Sequence, residues 1–218
     1  MTTHTIPAEL FLLLTNDAGR QDSTSYRRQA LAAAAVAELA LREKIALNED
    51  RSPKVTVLDT EPTGEPALDQ ALAALAELDG KALKSVIGRR SMDLTEVIGE
   101  VFTAEGAVTR KDGWFFTSWP AEDDSVERAL RARLAAAIDD PSAASLQDGI
   151  LLDLLRALRI AHRILKDDLP DLSRRELDHR IKDLQIDHPA AQAVRRIMDD
   201  MAAVMIATTT AASAGGGA

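Results

Sequence analysis

Four histidines, His4, His162, His179 and His188, are the side chains best suited to metal ligation or to proton transfer near neutral pH. His179 and His188 stand nine residues apart, with Asp178, Asp183 and Asp187 between or beside them. Nine residues do not stack on one face of a straight helix, and Pro189 separates the second histidine from the helix that carries the first. The spacing therefore favours a solvated, charged helix face over a metal site. His162, in ALRIAHRIL, reads as part of a packed or half-exposed helix face rather than as a base. Carboxylates are spread over every helical segment and no pair stands out as an acid–base couple. Glycine-rich phosphate loops, nucleophile elbows and H-E-x-x-H are all absent from the sequence. The expectation is a binding protein and not an enzyme, with no metal and no cofactor.

Binding chemistry is better represented. Arginine occurs in four doublets, Arg27-Arg28, Arg89-Arg90, Arg174-Arg175 and Arg195-Arg196. Solubility and pairing with nearby acids explain most such doublets. A guanidinium also grips phosphate oxygens bidentately. The first two doublets, with Arg110 and Lys111, are the candidate basic rim for an anionic headgroup. Lys111 opens directly into the second feature, RKDGWFFTSWP. The chain has only seven aromatic residues, two Trp, one Tyr and four Phe, and Trp114, Phe115, Phe116 and Trp119 fall within six consecutive positions. Asp112-Gly113 is a strong hairpin signal. Alternation sends Trp114 and Phe116 one way and Phe115 and Trp119 the other, so both faces carry rings. A strand that merely covers the core is polar on one face. Rings on both favour a membrane or partner contact, although filling a gap in the core is the competing reading.

The elements that must position these residues are helical. At 218 residues with 46% hydrophobic and 28% charged composition, the chain is long enough for one large domain. Ala and Leu dominate and Arg outnumbers Lys, a bias that suits a high-GC bacterial genome. Cysteine is absent, which excludes disulfides and thiolate sites. The net charge of −9 argues against broad nucleic-acid binding. The N-terminus does not read as a signal peptide, and no stretch approaches a membrane span. Helices are expected from Pro7, from Ser23 or Ser25 through Leu47, from Pro66, and over LTEVIGEVFTAEG up to Gly106. Further helices are expected over DSVERALRARLAAAIDD, LQDGILLDLLRALRIAHRILKD, SRRELDHRIKDL and HPAAQAVRRIMDDMAAVMIATT. Lys54 to Asp59 alternates as a short strand.

Several segments in order, AELFLLLTNDAGR, AAAAVAELALREKI, EPTGEPALDQAL, AEGAVTRKDGWFF and AAAIDDP…LLDLLRAL, resemble the Golgi phosphoprotein 3 family over residues 7–205. The most specific piece is EPTGEPALDQAL, against the family's P-T-G-[DE]-x-x-L-D-x-A-L. The resemblance implies a mainly α single domain: a helical bundle surrounded by amphipathic helices, with one β-hairpin. It spans residues 1–207, before a flexible Ala/Gly-rich tail at 208–218. Eukaryotic members are peripheral membrane proteins that bind phosphatidylinositol 4-phosphate in a shallow basic pocket, dip an apolar hairpin tip into the bilayer and hold glycosyltransferase tails. The hairpin falls on residues 110–119. The family's pocket tryptophan falls near Ser23 and its arginines near Ala32, Met92 and Thr95, so those residue types are not retained. Two expectations follow. One is a cytoplasmic protein reversibly bound to anionic phospholipid, through Trp114, Phe115, Phe116 and Trp119 with Arg27, Arg28, Arg89, Arg90, Arg110 and Lys111. The other is an adaptor that self-associates, as a homo-oligomer, or takes a protein partner through the hairpin without lipid.

Overall fold

Residues 30–37, ALAAAAVA, are mostly alanine, and every one of them is fully buried. Alanine combines the highest helix propensity with the smallest side chain. It therefore makes the rod on which larger side chains from its neighbours can close. That rod is α2 (Arg27–Leu41), the centre of a computed structural model that describes residues 4–48, 50, 52–114 and 117–184. Packed along it is α1 (Ile6–Leu13), an eight-residue helix with Pro7 in its first turn and no exposed residue.

The other elements enclose this pair. Strands β1 (Ile45–Leu47) and β2 (Val55–Val57) form an antiparallel pair with Ile45 opposite Val57. Helix α3 (Pro66–Glu77) buries Leu68, Leu72 and Leu75, and α4 (Leu83–Ile87) leads through a 3-10 turn, Arg90–Met92, into α5 (Thr95–Ala104). A second antiparallel pair, β3 (Lys111–Asp112) and β4 (Thr117–Ser118), forms the hairpin. Then come α6 (Ser125–Asp139), α7 (Leu146–Ala157), α8 (Ala161–Leu165) and α9 (Arg174–Asp183). The fold is thus mainly helical, as expected.

Four details depart from the sequence reading. Helix α2 starts after Tyr26, with no side-chain cap from Ser23 or Ser25, and ends at Leu41, so Ile45–Leu47 is a strand. The apolar Ile45-Ala46-Leu47, with β-branched Ile45 at its start, gains a partner strand, and that tertiary pairing outweighs local helix propensity. The β2 strand covers only Val55–Val57 of the expected six residues. The segment from Leu146 onward is two helices, because Arg159 takes φ +61° and turns the chain. Its N–H donates to the Arg156 carbonyl (2.9 Å) and that of Ile160 to the Leu155 carbonyl (3.0 Å), a Schellman closure in which glycine is the usual residue. In the hairpin, Asp112 pairs with Thr117, leaving 113–116 to link the strands rather than a two-residue Asp-Gly turn. The expected C-terminal helix, with His188, and the Ala/Gly tail lie outside the described residues.

Buried polar groups fix α1. The Glu9 carboxylate accepts two hydrogen bonds from Arg133 of α6 (2.9 and 2.6 Å) and one from Gln147 of α7 (2.7 Å). Arg133 also donates to Asp148 (2.6 Å), which closes the capping box of α7 with Ser145. At the start of α1, the Ile6 N–H donates to Glu38 of α2 (2.7 Å), which pairs with Arg42 (2.6 Å). Burial pushes the Glu38 carboxyl above its ordinary range, against those two donors. Each carboxylate is satisfied, which keeps the burial of charge tolerable.

The EPTGEPALDQAL segment has a structural explanation. Thr63 donates to Asp69 from its N–H (2.6 Å) and its hydroxyl (2.7 Å), Gly64 takes φ +85°, and Pro66 opens α3. The motif is a turn that folds back onto the helix it starts. Partial burial works to raise the Asp69 pKa, but the hydrogen bonds from Thr63 and Gly64 outweigh it and hold the carboxyl below its ordinary value. A depressed folded-state pKa means the carboxylate adds stability above the unfolded pKa and loses it as pH falls through the folded one. Asp69→Ala is expected to cost about 1–2 kcal/mol at neutral pH. Urea denaturation of both proteins between neutral and acid pH checks this, and the difference should shrink on acidification.

Candidate functional site

The hairpin is anchored by one ring and tipped by another. Trp119 is 1% exposed, whereas Trp114, at the tip, is 93% exposed. Trp119, expected among the membrane-contacting rings, is therefore a core residue. The sequence pattern could not separate the two tryptophans because the signal lies on distant glycines. A Cβ on Gly99 of α5 would lie 2.4–2.6 Å from ring atoms of Trp119, so only glycine leaves room for the indole. Gly19, at φ +73°, packs as tightly on the backbone of Trp119 and Pro120, and its carbonyl accepts the Trp119 N–H at 2.9 Å. The base is closed further by the Val108–Ala121 bridge and by the Thr109 N–H donating to the Pro120 carbonyl (2.9 Å). Phe115 and Phe116 lie outside the described residues.

Arg110 covers the outer face of this anchor. Its guanidinium carbon lies 5.4 Å from the centre of the Trp119 ring. It pairs with Glu100, with Glu96 (2.7 Å) and with Asp112 (3.0 Å). Hydrogen bonds to Glu100 and then Asp112 raise its pKa above the ordinary arginine value. Expected as part of a headgroup-binding rim, Arg110 is instead committed to three carboxylates. Its role is to hold the hairpin against α5.

Beside the hairpin base lies a cavity of about 610 Å³. Arg27 and Arg28, at the start of α2, and Arg90 line it, together with Trp119 and Thr117 of the hairpin. The structure therefore brings three of the six candidate cations together, and leaves Arg89, Arg110 and Lys111 outside the lining. Arg89 and Lys111 are exposed. Arg27 is buried, with its guanidinium carbon 5.4 Å from the centre of the Phe11 ring and Nη1 donating to the Thr15 hydroxyl (3.3 Å). Burial lowers its pKa, against the attraction of Asp93. Arg28 and Arg90 make no side-chain hydrogen bond or ion pair among the described residues and are the free cations of the cavity. Asp93 and Glu96 also line it, acids that the sequence reading did not connect with the doublets. Gln21, Ser25 and Thr95 add further hydrogen-bonding groups, so its lining is mostly polar.

The positions implied by resemblance divide in the same way. Ala32 and Met92 are fully buried in the core, Ser23 is half-buried in a turn, and Thr95 lines the cavity. The arginines now lining it come from positions a few residues away, Arg28 on α2 and Arg90 before α5. Among the described residues no group of His and acidic side chains is arranged to hold a metal ion. His179 is exposed and pairs with Asp183 (3.1 Å).

These features define a mainly helical domain, with a hairpin standing beside an arginine-lined cavity. The chain belongs to the Golgi phosphoprotein 3 (GPP34) family, whose model matches residues 6–201. A comparison with curated proteins gives no significant match. No helix among the described residues is long and apolar enough to cross a membrane.

The two tryptophans should separate cleanly in solution. Gly99→Ala is expected to destabilise the fold by about 1–3 kcal/mol through overpacking against the Trp119 ring. Trp114→Ala should stay within about 0.5 kcal/mol of the parent. Guanidinium denaturation of the two variants checks both values.

Proposed function

We propose that this protein is a peripheral membrane protein that binds anionic phospholipid headgroups and docks through its aromatic hairpin. The observation that carries the reading is Trp114, 93% exposed at the tip of a hairpin whose base is locked into the core through Trp119. A large ring held in water on a fixed support is suited to the bilayer interface, where an indole keeps its body apolar and its N–H wet. Transfer of one such ring contributes roughly 1.5–3 kcal/mol. Phe115 and Phe116 follow it directly in the sequence. Arg28 and Arg90 supply the cations for a headgroup phosphate in the adjoining cavity, each worth on the order of 1 kcal/mol near an anionic leaflet. Ring and charge together give reversible attachment, which neither gives alone. Phosphatidylinositol 4-phosphate is the headgroup the family suggests. Asp93 and Glu96 narrow the cavity's positive character, so general anionic recognition is the better-supported form. The role is one of binding, with no catalytic step.

Co-sedimentation with phosphatidylcholine vesicles, with and without an anionic lipid, tests the proposal. Binding should require the anionic lipid, weaken with salt, fall at least tenfold in Trp114→Ala with Phe115→Ala, and fall in Arg28→Ala with Arg90→Ala. Binding indifferent to lipid charge and to the hairpin variant would contradict it.

A second reading, self-association or partner contact through the hairpin without lipid, is favoured by the commitment of Arg110 to Glu96, Glu100 and Asp112. That pairing commits the one arginine of the hairpin segment itself, residues 110–119. Light scattering distinguishes it: the parent would show a concentration-dependent mass that the hairpin double variant loses.

A further inference from the structure

The corner between α7, α8 and α9 gathers positive charge that the hairpin reading does not use. Arg156, Arg159, His162 and Arg174 line one small pocket, together with Leu177 and with Asp178 as the one acid of its lining. Arg156 is paired with Asp153 at 3.2 Å. Arg159, His162 and Arg174 make no side-chain hydrogen bond or ion pair among the described residues. The chain as a whole carries a net charge of −9, yet among the described residues Asp178 is the one acid that lines the pocket, and no ion pair from it reaches Arg159 or Arg174. Guanidiniums gathered without a partner repel one another, and an anion bound between Arg159 and Arg174 removes that cost.

The backbone adds a second observation. Arg159 is the residue in the left-handed conformation, φ +61°, that closes α7. Glycine would take this conformation without strain. An arginine here places a guanidinium on the pocket at the expense of the helix end. Strain of this kind at a charged, concave position is what binding sites retain.

The size of the pocket is the third. Its volume is about 40 Å³, a little more than one water's share of the liquid, which is roughly 30 Å³. A recess this shallow admits one terminal oxygen of a phosphate monoester, with the other terminal oxygens at its rim within reach of the guanidiniums and the ester oxygen pointing out to solvent. Guanidinium forks match such oxygens in geometry and charge.

We propose that this pocket is a second anion site, specific for a phosphate monoester held by Arg159, Arg174 and His162. It stands independently of the hairpin and of the cavity beside it. The same chemistry comes either as a soluble phosphorylated metabolite or as a monoester lipid headgroup.

Thermal unfolding of the full chain in inorganic phosphate, against chloride at matched ionic strength, is the test. The parent should show a saturable, phosphate-specific rise in melting temperature. Arg159→Gly should melt higher than the parent without phosphate, because strain is relieved, and lose the phosphate-dependent rise. The double variant Arg28→Ala with Arg90→Ala, and Trp114→Ala, should keep that rise, which separates this site from the hairpin reading. A rise that survives Arg159→Gly, or disappears instead in Arg28→Ala with Arg90→Ala, overturns the proposal. So does a parent that responds to phosphate no more than to chloride. Two further arms, glycerol 3-phosphate in solution and phosphatidic acid in phosphatidylcholine vesicles, name the source. A soluble ligand gives a Gly-sensitive thermal shift with glycerol 3-phosphate and vesicle binding unchanged by Arg159→Gly. A headgroup gives vesicle binding that the variant weakens.

Discussion

The close approach of the Trp119 indole to Gly99 and Gly19 is the constraint on which the rest of the functional face depends. A hairpin with only two paired residues in each strand has little stability of its own. Here it is held because a large ring at its base fills a space that α5 and the loop after α1 leave open by having no side chain. Arg110 then closes over the ring and takes its charge partners from the same helix. The result is a hairpin whose base is packed into the core. Trp114 projects from it into solvent, and the cavity lined by Arg27, Arg28 and Arg90 opens at its side.

Beneath that face, the core is organised by small side chains and a few buried charges. The alanines of α2 let α1 lie close, and Glu9 and Glu38 then fix α1 to α6, α7 and the end of α2 itself. Pairing of this kind contributes little net energy compared with apolar packing, but it specifies which surfaces meet. The start of α2, where Arg27 and Arg28 stand, inherits its position from this arrangement. The cavity is thus set by the same packing that sets the core.

Much of this was legible in the sequence. Helical periodicity, the Pro66 start of α3 and the glycine end of α5 were readable because each is a local signal. The family resemblance placed the hairpin correctly. What was not legible depends on contacts distant in sequence. Trp119 and Trp114 look alike until Gly99 is seen to make room for one of them. Arg110 reads as a free cation until Glu96 and Glu100, a helix away in the chain, are found beside it. The break at Arg159 is hidden because an arginine occupies a position where glycine would have announced it. The Ile45–Leu47 strand was likewise masked by the strong helix before it, and only its pairing with Val55–Val57 reveals it.

The proposed site thus combines the exposed Trp114 with the cations of the cavity beside it, and Trp114 is the group on which the docking proposal turns. The most direct measurement is tryptophan emission on titration with anionic vesicles whose acyl chains carry bromine. With one tryptophan buried and one exposed, any change reports on Trp114. Docking of the hairpin predicts a blue shift followed by quenching from the brominated chains, both absent in Trp114→Ala. Emission that stays unshifted and unquenched while the protein is bound to the vesicles would contradict insertion of the hairpin.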